Sequence, residues 1–182
     1  MLNIRNLLGL LRHVTVKSLE KGEILIERGS TRKEVYYIRK GLIRSFTTDD
    51  MEDETTFQLY PEYHAVSNIH SLLLNEPSKF SYQALERTKV YAIDYSSFIE
   101  VTSNNPKYLE INRMYLGKRA MKLAFQRVES FVFLSPEERY KKYIKDYPNI
   151  INRAPDKYIA NVLGITPVSL SRIRKRMASR KP

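Results

Sequence analysis

The stretch 156–177, near the end of this 182-residue chain, restricts the fold more than any other part of the sequence. Its apolar residues recur at helical spacing on both sides of Gly164, so the pattern predicts two short helices joined by a tight turn at that glycine. Thr166 suits the cap of the second helix and Pro167 its first position. The side chains expected to face inward are Ile159, Ala160, Leu163, Ile165, Leu170, Ile173 and Met177. This spacing predicts a helix-turn-helix module.

The outer face of the second predicted helix is polar and basic. A helix that enters the major groove of DNA presents its first turns to the base edges. We therefore expect Arg172 to donate a bidentate pair to guanine and Val168 to contact a thymine methyl group. Hydroxyls and free amides at the helix start suit phosphate oxygens, and the cations that follow suit the DNA backbone. The predicted DNA-binding residues are Thr166, Val168, Ser169, Ser171, Arg172, Arg174, Lys175 and Arg176.

The charge of the chain is unevenly distributed. Residues 1–106 contain 13 Lys and Arg against 14 Asp and Glu, a net charge of −1, whereas residues 107–182 contain 18 against 6, a net charge of +12. This asymmetry predicts a neutral half joined to a half that binds a polyanion. Two alternatives stay open at this point. The whole chain could be a merely basic soluble protein, or the last cations could only offset the dipole of a helix C-terminus.

The composition excludes several classes of protein. The chain has no cysteine, which rules out disulfides and thiolate-ligated iron–sulfur clusters, and its three histidines are too scattered to form a structural zinc site. No nucleophile elbow, phosphate loop or histidine–carboxylate constellation points to an enzyme, so we expect no catalytic residues and no metal. The chain has no apolar run of the ~20 residues that a membrane span needs. Its start lacks a secretory cleavage site, so we expect a cytoplasmic protein without a membrane partner.

The first half of the chain has the pattern of short β-strands. Glycines and other turn residues separate runs rich in β-branched and aromatic side chains, and many short strands at close spacing predict a closed roll or a sandwich. The predicted strands lie at 23–27, 35–39, 42–46, 55–59, 80–84 and 89–93. We expect 67–74 to form a short helix between strands, and the acidic stretch 49–54 to form a solvated hairpin tip.

After residue 104 the apolar period becomes helical. Asn104 or Asn105 suits the cap of a helix whose first position is Pro106 and which continues to about Phe133. Its apolar residues lie on two sides: Leu109, Leu116, Ala120 and Leu123 on one, and Ile111, Met114, Met121, Phe125 and Val128 on the other. A helix with two apolar sides must bury both, so we expect one side on the roll and the first-named side in a dimer seam. The alternative is one wide buried face within a monomer.

A second strong helix start follows at 135–138. Serine, proline and two glutamates in succession suit a cap, a first helical position and the positive end of the helix dipole. We expect this helix to end near Asp146, because Pro148 cannot continue it. The short stretch 131–134 before it is predicted to be a hinge between two parts of the chain.

Several of these motifs together resemble the Crp/Fnr (cyclic-AMP receptor protein/FNR) family of bacterial transcription regulators, and in particular its Bacteroidetes-type variant. The resemblance lies in Ile159-Ala-x-x-Leu-Gly-Ile-Thr-Pro-x-x-Leu-Ser-Arg-Ile-Arg-Lys175, which is similar to the reader helices of that family. Ser135-Pro-Glu-Glu-Arg-Tyr140 is similar to the start of its DNA-binding domain. Lys21-Gly-Glu-Ile-Leu25 and Val35-Tyr-Tyr-Ile-Arg-Lys-Gly-Leu42 are similar to segments of its β-roll. The resemblance covers nearly the whole chain in the right order.

This resemblance implies an α+β fold in three parts. They are a cyclic-nucleotide-binding-like β-roll or effector domain at 1–103, a long connecting and dimerisation helix at 104–133, and a helix-turn-helix DNA-binding domain at 134–182. It implies a homodimer that places two reader helices in successive major grooves of double-stranded DNA. By the same match Val168 and Arg172 read bases, and Thr166 and Ser169 hold phosphate. RNA polymerase is a further candidate partner. Since the sequence ends at Pro182, we expect no β-hairpin wing after the reader helix.

The predicted effector pocket departs from the nucleotide-binding members of that family. Those members carry a Phe-Gly-Glu stretch and a later Arg-Ser/Thr pair. Here 63–68 is Tyr-His-Ala-Val-Ser-Asn, and the later pair falls on Ser78-Lys79 or on Lys79-Phe80, depending on a one-residue choice of alignment. A lysine offers a phosphate a point charge without the planar fork of arginine. We therefore expect no cyclic AMP and no other known cofactor. Contacts to an unidentified small-molecule effector are assigned to Ser67, Ser78 and Lys79.

Two functions remain in competition on the sequence alone. The leading hypothesis is a homodimeric, sequence-specific DNA-binding transcription regulator with an altered effector pocket, in which the roll and the long helix set the spacing of the two readers. The second is a small-molecule sensor or oligomerisation module whose basic C-terminal half contacts protein or RNA. They differ on Arg172→Ala, which the second hypothesis expects to change little.

Overall fold

Eight antiparallel strands occupy most of the described residues up to 94. The computed structural model describes residues 12–103 and 106–179; within its helices, the side chains of residues 98, 101–103, 106–109, 111–113, 115, 116, 119 and 120 lie outside the description. The strands are β1 Thr15–Leu19, β2 Ile24–Ile26, β3 Glu34–Lys40, β4 Ile43–Thr48, β5 Glu54–Tyr60, β6 Ala65–Ser67, β7 Ser81–Ala84 and β8 Thr88–Asp94. They form two four-stranded sheets, in the orders β1-β8-β3-β6 and β2-β7-β4-β5. Together these sheets make the predicted β-roll.

Helices make up most of the chain after β8. One short helical turn, His70–Leu74, interrupts the strands. The later helices are α1 Tyr95–Ser103, α2 Pro106–Phe133, α3 Pro136–Asp146, α4 Asp156–Leu163 and α5 Pro167–Ser179. The bounds of α2 to α5 confirm the helices predicted from the sequence, although the expected caps Asn104 and Asn105 lie outside the described residues.

The six predicted strands are all present, and three elements were not predicted. β1 was missed because its burial is irregular, and β6 because it has only three residues. The helix α1 directly follows the strand β8. Its start is stabilised by Asp94, whose carboxylate accepts the backbone N–H of Ser96 at 2.8 Å. An aspartate followed two residues later by serine is a local capping pattern, so this signal was available in the sequence.

The two sheets enclose a core of aliphatic and tyrosine side chains. Ile38, Ile43 and Val90 are fully buried there, and the ring of Tyr82 lies 6.2 Å from that of Tyr60. The hydroxyl of Tyr82 donates to the backbone carbonyl of Ser67 at 3.2 Å, which satisfies a polar group that burial would otherwise leave unpaired. The interior of the roll is therefore held by both packing and a specific hydrogen bond.

The roll and the C-terminal helices share a second hydrophobic cluster. Leu42 and Leu59 of the roll are fully buried in it. Leu59 packs toward the helices while its neighbour Tyr60 packs toward the interior of the roll, because successive strand residues point to opposite faces. The helical members of the cluster are Tyr140, Tyr143, Ile150, Ala154, Ile159, Ala160, Val162, Leu163, Leu170 and Ile173. The C-terminal helices are thus docked on the outer face of one sheet.

The long helix α2 exposes its apolar residues in the single chain. Met121, Phe125 and Val128 are each more than half exposed, and so is Leu123 on the other predicted side. For the side chains that the structure describes, the alternative of one wide buried face within a monomer is therefore wrong. The expectation that the side with Met121, Phe125 and Val128 packs on the roll is also wrong, since these side chains are exposed. The side chains of the other residues assigned to the dimer seam lie outside the described part: Leu109, Leu116 and Ala120.

Candidate nucleic-acid interface

The turn between α4 and α5 has the predicted local geometry. Gly164 ends α4 with a φ of 65°, a left-handed conformation that favours glycine. The N–H of Ile165 reaches back to the carbonyl of Ala160 at 3.0 Å. Thr166 then begins the next helix, since its hydroxyl oxygen accepts the N–H of Ser169 at 3.1 Å. The sequence predictions of a glycine turn and a threonine cap are both confirmed.

Helix α5 has one buried face and one open face. Leu170 and Ile173 are buried in the shared cluster, and Met177 packs against it. On the opposite side Val168 is 60% exposed and Arg172 is exposed as well. The helix therefore presents to solvent the side chains that the sequence assigned to base reading.

The cations of α5 differ in their surroundings. Arg172 and Lys175 are exposed, and neither forms an ion pair with any residue that the structure describes. Arg176 is more than half exposed and lies 3.6 Å from a carboxylate oxygen of Glu137. Two exposed cations without an ion-pair partner on one helix face are available to neutralise phosphates or contact base edges.

Arg174 is a structural residue of the module. Its Nη1 donates to both carboxylate oxygens of Asp156 at 2.7 Å, and its Nε donates to the hydroxyl of Tyr140 at 3.1 Å. Burial lowers the pKa of Arg174, but these hydrogen bonds outweigh burial and the net pKa is raised. The guanidinium thus joins α5 to α4 and α3. The sequence grouped Arg174 with the backbone-neutralising cations because helical spacing does not reveal a partner 18 residues away.

The two hydroxyls assigned to phosphate are close together at the start of α5. The hydroxyl of Thr166 donates to that of Ser169 at 3.0 Å. Ser171, two residues further along α5, is exposed. In the first turn of α5, Pro167 has no N–H and the N–H of Ser169 is bonded to Thr166, so the remaining donors are the N–H of Val168 and the hydroxyl of Ser169. The arrangement therefore leaves donors at a helix start beside the exposed face.

A contact from the end of α2 holds the turn in place. A side chain at Gly164 would collide with the ring of Phe131. Arg139 lies with its guanidinium 4.9 Å from that same ring and donates to the carbonyls of Leu163 and Leu134, at 3.0 Å and 2.8 Å. The predicted hinge 131–134 is therefore tied directly to the turn before α5. No local pattern in the sequence reveals the role of Arg139, because its partner Leu163 is 24 residues away.

The three residues assigned to an effector lie in different environments. Ser67 is half-buried at the end of β6, and its carbonyl accepts the hydroxyl of Tyr82. Ser78 is buried, and its hydroxyl donates to the carbonyl of Phe80 at 2.7 Å. The Lys79 side chain is 68% exposed and lies 4.0 Å from Glu76. The serine hydroxyl at 78 is thus already engaged, and the lysine lies in solvent.

Comparison with known proteins gives this architecture a family context. Residues 16–105, which span the strands of the roll, match the family model of the cyclic nucleotide-binding domain. These residues belong to that domain family. The cyclic nucleotide-binding domain here therefore comprises the roll, while α3 to α5 lie outside the matched segment.

Two relatives match most of the chain. Electron transport regulator A of Shewanella oneidensis is 26% identical over 180 residues, which span 88% of this chain and 67% of that protein. The fumarate and nitrate reduction regulatory protein of Yersinia pestis is 28% identical over 178 residues, with the same coverage of both chains. Homologues of this chain are thus transcription regulators of the Crp/Fnr type.

A solved structure supports the fold over nearly its full length. FixK2 of Bradyrhizobium japonicum superposes with a TM-score of 0.76 at 15% identity, over 92% of this chain and 85% of that chain. Within the described residues, no helix is long and apolar enough to cross a membrane. The same residues contain no group of three or more side chains that could hold a metal ion.

An arginine clamp joins the cyclic nucleotide-binding domain to the C-terminal helices. Arg153, in the connector between α3 and α4, donates to both carboxylate oxygens of Glu62 at 2.7 and 2.8 Å, and to Glu86 at 2.6 and 3.2 Å. Its side chain is only 22% exposed. Hydrogen bonds from Arg153 lower the pKa of Glu62 to about 2, against the opposing effect of burial. The clamp is therefore charged at neutral pH.

This clamp predicts a stability difference that depends on pH. The pKa of Glu62 in the folded state lies below its usual value of 4.5. The ionised carboxylate therefore contributes fully to the free energy of unfolding above pH 4.5, and this contribution is lost as the pH falls through about 2. We expect Glu62→Gln to lower the free energy of unfolding by about 1–3 kcal/mol at pH 7, because charged hydrogen bonds are lost. Urea unfolding at pH 7 and pH 3 measures this, and the difference between variant and parent should shrink at the lower pH. A difference that is constant with pH would contradict the assignment.

Proposed function

We propose that this protein is a sequence-specific DNA-binding transcription regulator of the Crp/Fnr family, in its Bacteroidetes-type variant, which acts as a homodimer. The observation that carries the proposal is the open face of α5. There Val168, Arg172 and Lys175 are exposed, while the opposite face of the helix is buried in the core. A helix held by its inner face with an exposed basic outer face can enter a major groove without rearrangement.

The distribution of charge supports the same proposal. Residues 107–182 hold the whole cationic excess of the chain, with 18 Lys and Arg against 6 Asp and Glu. Phosphate contacts supply most of the affinity of DNA-binding proteins, and base contacts supply the specificity. The proposed division of the chain is an effector domain at 1–103, a connecting helix at 104–133 and a DNA-binding domain at 134–182. We assign base reading to Val168 and Arg172.

The exposed apolar sides of α2 support the proposed homodimer. Large apolar side chains that remain in water along a 28-residue helix are typical of an association surface. Met121, Phe125 and Val128 recur at helical spacing on one side, and Leu123 lies on the other. A parallel pairing of two copies of α2 would remove the apolar side chains of one of these sides from water and bring two α5 helices to one face of the dimer.

Charges placed on α2 are expected to dissociate the dimer. The double variant Leu123→Lys with Phe125→Lys places a lysine on each side of α2. Whichever side forms the symmetric seam then carries two lysines, one from each copy, so the dissociation constant should rise by roughly a hundredfold or more. Sedimentation equilibrium measures this directly, and the two single variants show which side of α2 forms the seam. Lys122→Glu is the control, because it changes an exposed charge and removes no apolar surface. An unchanged dimer in the double variant would exclude α2 as the seam.

The effector domain is proposed to respond to a small molecule other than cyclic AMP. Lys79 lies in solvent beside Glu76, and the hydroxyl of Ser78 is bonded to its own turn, so a cyclic phosphate would find no prepared arginine fork there. Ser67, Ser78 and Lys79 remain the proposed effector contacts. We further propose that the protein works in the cytoplasm, has no catalytic activity, and contacts RNA polymerase when bound near a promoter.

Selection of bound fragments from genomic DNA tests the proposed function. Purified protein is mixed with fragmented DNA of its host at moderate salt, which suppresses binding through phosphates alone, and the recovered fragments are sequenced. We expect enrichment of a two-fold symmetric site with half-sites about one helical turn apart. Recovery of fragments without regard to sequence would contradict the proposal and favour a protein or RNA partner for the basic half.

A further inference from the structure

Arg153 connects three separate turns of the cyclic nucleotide-binding domain, two of them by direct hydrogen bonds and the third through Glu62. Glu62 lies between β5 and β6, and Glu86 lies between β7 and β8. The carboxylate of Glu62 also accepts the N–H of Gly41, in the turn between β3 and β4, at 2.9 Å. At Gly41 the φ is 111°, and a side chain there would collide with Thr88. These turns are thus packed against one another, and the clamp binds a rigid edge of the domain.

Further contacts surround the clamp on the same face. The guanidinium of Arg44, which is 2% exposed, lies 4.0 Å from the ring of Phe46 and 4.2 Å from that of Tyr158 in α4. The backbone N–H of Thr56 in β5 donates to the side-chain oxygen of Asn161 in α4 at 3.2 Å. One side of α4 is therefore fixed to the domain. Helix α5 packs on this docked element through Leu170 and Ile173, while its outer face remains open to solvent.

We propose that Arg153 is a positioning residue for DNA binding, which fixes the angle between the effector domain and the α4–α5 module. This rests on the proposed function. Arg153 does not contact DNA in this arrangement, since its guanidinium is enclosed by Glu62 and Glu86. In a dimer joined through α2, that angle sets the distance between the two α5 helices. The distance in turn selects the spacing of half-sites that both helices can occupy together.

The preference of the protein for one spacing of half-sites is the quantity to measure, because a residue that only stabilises the fold would not change it. Duplexes with identical half-sites are prepared in which the central spacing varies by single base pairs, together with a duplex that carries one half-site. We expect the parent to prefer one spacing by roughly tenfold or more, and Arg153→Ala to reduce that preference to about threefold or less. Binding to the single half-site should change little, because the reading face of α5 is untouched.

Matched variants separate position from folding. Arg153→Lys keeps the charge but loses the fork that reaches both carboxylates, so it should restore the spacing preference only in part. The double variant Arg153→Glu with Glu62→Arg should have a stronger spacing preference than either single variant. Arg87→Ala is the control, since Arg87 is an exposed arginine beside Glu86 that pairs with Glu20. An Arg153→Ala protein that keeps the parental preference, or that loses affinity equally for every duplex, would overturn the proposal.

A distance measurement tests the same role without DNA. The chain has no cysteine, so Lys89→Cys in the domain and Lys157→Cys in α4 give two exposed labelling sites in the 182-residue chain. Spin-labelled chains are diluted with unlabelled ones so that only distances within one chain are observed. We expect a narrow distance distribution in the parent and a broad one in Arg153→Ala. An unchanged distribution would overturn the role of Arg153, whereas a parent that binds no duplex would contradict the proposed function instead.

Discussion

Gly164→Ala is expected to destabilise the α4–α5 module by about 2–5 kcal/mol and to remove DNA binding. Two costs contribute to this loss. Alanine in the left-handed conformation that Gly164 adopts, with a φ of 65°, costs roughly 1–2 kcal/mol. The added methyl group also collides with the ring of Phe131, and forcing extra volume into a packed contact typically costs about 1–3 kcal/mol. Urea unfolding followed by circular dichroism measures the sum.

A second glycine provides a matched control for this prediction. Gly117 lies inside α2, and a side chain added there meets no atom within 4 Å. Gly117→Ala should therefore stabilise the helix by about 0.5–1 kcal/mol. Combining Gly164→Ala with Phe131→Leu should recover part of the steric cost and none of the backbone cost. If Gly164→Ala were as stable as the parent, Gly164 would not be required for the turn between α4 and α5.

Arg172→Ala is expected to weaken specific DNA binding by about 1–3 kcal/mol, with the loss concentrated at one base position. The guanidinium is exposed in the first half of α5, and it makes no ion pair among the described residues. It can therefore meet a guanine edge without first breaking a contact within the protein. Fluorescence anisotropy with the selected site and with each single base change measures both the loss and its position.

Other cations of α5 supply the controls for this variant. Lys175→Ala should weaken binding to all sequences alike and reduce the slope of log affinity against log salt by about 1, as expected for a phosphate contact. Arg174→Ala should act mainly on stability, because it leaves Asp156 and Tyr140 without their partner. If Arg172→Ala weakened binding to every duplex equally, its assignment as a base reader would be wrong.

The caps and turns of this protein could be predicted because their partners are local. The hydroxyl of Ser135 accepts the N–H of Glu138, and the carboxylate of Glu138 accepts the N–H of Ser135, only three residues apart. Thr166 caps α5 over the same distance, and Gly164 is recognisable because few other residues adopt its conformation. The helical period placed the buried residues of α4 and α5 for the same reason, because residues that share one face of a helix are only three or four positions apart.

Contacts between distant parts of the chain could not be predicted in this way. The carboxylates that Arg153 binds lie 91 residues away in the sequence for Glu62 and 67 residues away for Glu86. No local pattern distinguishes Arg153 from the other cations of the basic half. Likewise Arg174 looks like a solvent-facing cation until Asp156 is placed beside it by the packing of α4 on α5.

Sequence periodicity and turn chemistry therefore established six strands of the roll, the helices α2 to α5 and the outward face of α5, but not β1 and β6. The orientation of the C-terminal helices depends instead on tertiary packing. It arises from Leu42 and Leu59 in the shared cluster and from the clamp at Arg153. The physical reason is that hydrogen bonds within a turn have one available partner, whereas a charged or apolar side chain has many, and the complete fold selects among them.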